Sequence, residues 1–158
     1  CHRIKYLILF LFISPNFVYA CQCREWDINN INKHAELIFV FETNGEIVVM
    51  NDIQYVTGTV IESMKGNLIN GQQSLIDYFS GSSCAIPIED LKTKLLIIAR
   101  NNKYGKPEAS VCDVKVIAST LVGDELVKPH EKNIIIFNKL RKLTHNQSLQ
   151  SDAPEARR

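Results

Sequence analysis

The sequence predicts a mostly β domain, a closed barrel or a sandwich of five or six short strands followed by a helix. Three observations carry this. Ile53 to Ser63 alternates, with Val56, Gly58 and Val60 on one parity and Tyr55, Thr57, Thr59 and Ile61 on the other, the period of a half-buried strand. Leu95 to Arg100 contains Leu-Leu-Ile-Ile-Ala, which reads as a strand buried on both faces. Turn residues recur between such segments, at Asn44-Gly45, Asn51-Asp52, Gly66-Asn67 and Asn70-Gly71, as they do between short antiparallel strands.

In chain order, residues 1–20 follow the grammar of a secretory signal. Arg3 and Lys5 supply a basic flank, Leu7 to Ile13 an apolar stretch too short to span a bilayer, and Val18-Tyr19-Ala20 a cleavage site. The expected product starts at Cys21 and is secreted, or periplasmic or lipid-anchored in a bacterium. Asp27 to Ala35 places Ile28, Ile31 and Ala35 at helical spacing. Glu36 to Thr43 reads as a buried strand, Asn44-Gly45 as a hairpin turn, and Glu46 to Met50 as the returning strand. Ser74 to Phe79 is a further strand, ending in the Gly81-Ser82-Ser83-Cys84 loop. Asn101 to Pro107 is a polar loop, and Ala109 to Val116 a last short strand carrying Cys112. From Pro129 to Leu143 the period becomes helical, with Ile136, Phe137, Leu140 and Leu143 as the apolar stripe. Residues 144–158 are nearly devoid of apolar side chains, which predicts a disordered tail. The domain is therefore expected over 21–143.

The chain holds 18 Lys and Arg against 17 Asp and Glu, so no strong overall field favours nucleic acid. His34, His130 and His145 lack the His-Glu-x-x-His spacing of a metalloenzyme. Gly81-Ser82-Ser83 lacks the Gly-x-Ser-x-Gly frame of a nucleophile elbow. No pair of carboxylates is placed for acid–base work. These absences point away from an enzyme and from any cofactor. Lys132, Lys139, Arg141 and Lys142 on the last helix could meet a polyanion, although a solvated face accounts for them as well.

Apart from Cys1, the cysteines are Cys21, Cys23, Cys84 and Cys112. In an exported chain an even set reads as disulfides before metal ligands. Cys21 and Cys23, two apart on an extended chain, point to one face and do not easily close on each other. Each is expected to reach Cys84 or Cys112. Lipidation of Cys21 is the competing use of this site.

A signal peptide, a Cys-x-Cys at the new N-terminus, a short helix, a Lys-Gly-Asn turn after a long alternating strand, a Gly-Ser-Ser-Cys loop and a late Ser-Val-Cys occur here in that order. This order resembles the N-terminal domain of the tissue inhibitors of metalloproteinases, within the netrin-like group, and spans about Cys21 to Thr120. The resemblance implies a five-stranded Greek-key barrel of OB type with flanking helices, stapled by Cys21–Cys84 and Cys23–Cys112. It implies that the amine and carbonyl of Cys21 chelate the catalytic zinc of a metalloproteinase, and that Gln22 enters the enzyme's specificity pocket. A catalytic zinc keeps one open position. Free α-amino groups titrate near about 7.7–8.0, so an N-terminal amine binds zinc at little cost in proton removal. The chain departs from the family where Arg24-Glu25 stand in place of an apolar residue and a proline, in the size of Gln22, and in having no cysteines for a third bridge. The alternative expectation is a non-inhibitory netrin-like binding or structural module.

Overall fold

The computed structural model describes residue 23 and residues 25–78, 92–122 and 125–151. Helix α1 spans Ile28–His34 and starts where Asp27 accepts from the backbone N–H groups of Asn29 and Asn30, the N-cap role for which Asp is suited. Strands β1 (Leu37–Met50), β2 (Ile53–Lys65), β3 (Gln73–Tyr78), β4 (Lys94–Asn101), β5 (Pro107–Ala109) and β6 (Val114–Val116) form one sheet. β7 (Thr120–Val122) and β8 (Glu125–Val127) make a separate hairpin, and helix α2 (Glu131–Ser151) follows.

The molecule is mostly β, and its main sheet closes on itself. The strand order is β1-β2-β3-β5-β4, and β4 returns to pair with β1 along Leu37–Glu42. Every pairing is antiparallel except β3 with β5. The free edge of β4 is shared between two short strands. Its end, Arg100 and Asn101, pairs with β5, and its start, Leu95–Ile97, pairs with β6.

Three expectations are corrected. Asn44-Gly45 does not turn the chain: β1 runs straight through it to Met50, with a register shift against β2 between Thr43 and Ile47. Gly45 has φ 78°, so it supplies a bulge, which uses the same left-handed glycine as a hairpin turn. Asn44 keeps the bulge in place by accepting from the Thr57 hydroxyl and the Glu46 N–H. The hairpin turn is at Asn51-Asp52, both at positive φ, joining Met50 to Ile53. Second, Ala109–Val116 is not one strand. Ser110 and Asp113 close a 3-10 turn by a backbone and a side-chain hydrogen bond, and Cys112 lies in that turn. Third, α2 continues past Leu143 to Ser151. No Pro or Gly interrupts Thr144–Ser151, and the Thr144 hydroxyl donates back to the Leu140 carbonyl, so the helix continues without an apolar face to bury.

Two apolar layers hold the structure. Leu37, Phe39, Phe41, Val56, Val60, Ile76, Leu95 and Ile97 fill the ring. The rings of Phe39 and Phe41 meet edge to face at 6.2 Å. Gly58 makes room for this packing: a Cβ there would lie 2.6 Å from the Phe41 ring and 2.3 Å from the Glu42 carbonyl. Outside the ring, Ile38, Leu96 and Leu140 form a second cluster with Trp26, Ile28, Ile31, Ile136 and Phe137. The run Leu37–Phe41 is therefore buried on both faces, with Ile38 in the cluster under the two helices. Residues 97 and 98 are buried on opposite faces of β4, as the apolar run predicts.

Candidate functional site

The segment leading into α1 is fixed at two points. Cys23 is bonded to Cys112, with Cα atoms 5.2 Å apart and a sequence separation of 89. Three residues on, the Trp26 indole N–H donates to the Cys112 carbonyl at 2.9 Å. Both fastenings converge on the 3-10 turn between β5 and β6, itself held by the Ser110–Asp113 bonds. Cys21, Gln22 and Cys84, the other residues of the expected inhibitory ridge, lie outside the described residues, as does Arg24.

The fastened segment forms one wall of an open cleft of about 380 Å³. Its lining comes from three segments: Cys23, Glu25, Trp26 and Ile28 before and at the start of α1, Lys115 of β6, and Lys132, Asn133, Ile135, Ile136 and Lys139 of α2. The Lys115 ammonium stands 5.0 Å from the centroid of the Trp26 ring, close enough for attraction to the ring face. Burial pushes the Lys115 pKa below its ordinary value, and the charge of Asp113 opposes that shift in part. Asn133 ties α2 to β6 by donating to the Val116 carbonyl.

The four basic residues of α2 singled out from the sequence do not form one free patch. Lys132 pairs with Glu25 at 3.3 Å and Arg141 with Glu62 at 2.9 Å, while Lys139 and Lys142 are exposed. The histidines are apart. His34 ends α1 and lines a second hollow with Arg100 and Asp113. His130 accepts from the Lys132 backbone N–H at the start of α2, and His145 lies far along the same helix. Among the described residues no three His, Cys, Asp or Glu side chains converge as a metal site would require. No described helix is long and apolar enough to cross a membrane.

The Trp26–Lys115–α2 cleft is absent from any motif. Its walls come from three segments far apart in the chain, and the one sequence hint is a single tryptophan next to an expected disulfide. Compared with known protein families and with curated proteins, the chain matches no family model and no curated sequence.

Proposed function

We propose that the chain is an exported inhibitor of zinc metalloproteinases, not an enzyme, acting through its processed N-terminus on a barrel of OB type. The amine and carbonyl of Cys21 take the open position on the protease's zinc, and the Gln22 side chain enters the adjoining specificity pocket. The observation that carries this is the double fastening of Cys23 and Trp26 to the Cys112 turn. A ridge two residues downstream of Cys21 that is already immobilised loses little freedom on binding. The ring order β1-β2-β3-β5-β4 with its single parallel pair supports the five-stranded Greek-key barrel that the family resemblance implies. The bridge itself supports an oxidising destination outside the cytosol.

The test is an inhibition screen of correctly processed protein against zinc metalloproteinases, beside a form carrying one extra Ala before Cys21. The extension blocks the amine and leaves the ring untouched. Inhibition by the native form alone supports chelation, and it should fade on acidification as protons compete with the metal for the amine. Equal inhibition by the extended form rules the mechanism out. Failure of both forms against diverse proteases leaves the netrin-like binding module as the function.

A further inference from the structure

We propose that the cleft between Trp26, Lys115 and α2 binds a small amphipathic anion: a carboxylate or similar singly charged head on an apolar body. The site is separate from Cys21 and does not rest on its chelating zinc.

The lining combines apolar side chains with three cations. Ile28, Ile136 and the Trp26 ring belong to the cluster packed over Ile38, Leu96 and Leu140, so this wall is part of the core and keeps its shape. Lys115, Lys132 and Lys139 face the same space, and Glu25 is the sole acid among the described lining residues. Glu25 and its partner Lys132 are both exposed, and an ion pair in that setting is weak and easily exchanged.

Lys115 is the residue that calls for a ligand. It is half-buried, and among the described residues no carboxylate lies within ion-pair distance of its ammonium. The nearest acid in sequence, Asp113, accepts from Ser110 and lines the second hollow; its charge reaches Lys115 without forming an ion pair with it. Taking a cation partly out of water is costly; burial lowers the Lys115 pKa, and the charge of Asp113 offsets only part of that cost. An anionic head beside Lys115 supplies the direct ion pair that Asp113 does not make, while the apolar body of the same molecule covers Trp26, Ile28 and the exposed Ile135. The cleft volume suits a ligand of small-molecule size.

Trp26 is the only tryptophan, so its fluorescence reports on this cleft alone. The full exported chain is titrated with decanoate, and with decanol as its uncharged counterpart. Decanoate should change Trp26 emission saturably and decanol should not. Lys115→Met should weaken decanoate about ten-fold or more, the effect of losing one charge-assisted contact. Lys139→Met, on an exposed helix position, should weaken it less but measurably, and keeps the test valid should the first variant fold poorly. Lys103→Met, on the remote loop before β5, should leave it unchanged. Vesicles of phosphatidylglycerol separate the two sources of such a head. Saturable decanoate binding without co-sedimentation places the ligand free in solution, and co-sedimentation lost in Lys115→Met places it in a membrane. Equal response to decanoate and decanol, or unaltered decanoate binding by both cleft variants, overturns the proposal.

Discussion

Replacing Cys23 and Cys112 together by Ala isolates the contribution of the bridge. The Trp26 hydrogen bond goes to the backbone carbonyl of residue 112, so it survives the substitution and only the covalent link is lost. The bridge spans 89 positions, and the chain-entropy relation assigns a loop of that length about 4.6 kcal/mol at 25 °C. A second link between Cys21 and Cys84 would shorten the path from Cys23 to Cys112 to roughly 30 residues and lower the figure to about 3.6 kcal/mol. Urea unfolding without reductant, followed by circular dichroism and Trp26 fluorescence, measures the loss directly. Repeating it with Cys21 and Cys84 also replaced tells the two values apart. A loss below about 1 kcal/mol would refute the reasoning. It would mean that α1 and the Trp26 contact hold the N-terminal segment by packing alone.

Other expectations follow from the core and the cleft. Ile97→Ala opens a cavity inside the ring and should cost about 2–5 kcal/mol, with Ile98→Ala toward the low end because it lies nearer the surface; equilibrium unfolding of both variants measures this. Gly58→Ala drives a methyl into the Glu42 carbonyl and the Phe41 ring and should cost roughly 1–3 kcal/mol, read from the same curves. Burial lowers the Lys115 pKa from 10.5, so the unfolded chain binds more protons between the folded value and 10.5, and stability contributed at this site rises with pH across that window. Wild type should therefore gain on Lys115→Met as pH climbs toward 10.5, and melting temperatures of the two proteins across the alkaline range check the sign. Truncation after Asn146 should reduce the helical circular dichroism signal and leave the melting temperature nearly unchanged.

The ring strands were legible because their burial is written locally. Leu37–Phe41 and Leu95–Ala99 are apolar at every position since both faces are buried, one parity inside the ring and the other outside it, where Ile38 and Leu96 lie under the helices. The helical spacing of Ile28, Ile31 and Ala35 marked α1. What misled was chemistry shared by two outcomes: a left-handed glycine after Asn serves a hairpin or a bulge, and only the pairing of Ile47 with Val56 decides which. The break between β5 and β6 was hidden because Val111 and Val114 continue a strand-like composition, while the Ser110–Asp113 bonds bend the chain between them. The end of α2 is not legible in the sequence because Thr144–Ser151 is polar, as a disordered tail would be, yet composed of residues compatible with helix. The cleft lay beyond local patterns altogether, since its tryptophan, its lysine and its helix meet only after the ring has closed.

The closure of that ring has a consequence for how the chain acquires its shape. β1 and β2 meet through a two-residue turn and can pair early, but β1 must wait for β4, with Leu37 reaching Ala99 and Glu42 reaching Lys94. Everything in β2 and β3 is made between the two halves of that seam. Non-local pairing of this kind slows folding to times on the order of milliseconds to seconds. During the delay both partners expose runs that are apolar on two faces, the condition under which nascent chains associate with one another. Cys23 and Cys112 lie outside the seam on either side, so oxidation before closure would draw β1 and β4 toward each other, and oxidation afterwards would lock them. Refolding yields under reducing and oxidising conditions should therefore diverge most at high protein concentration.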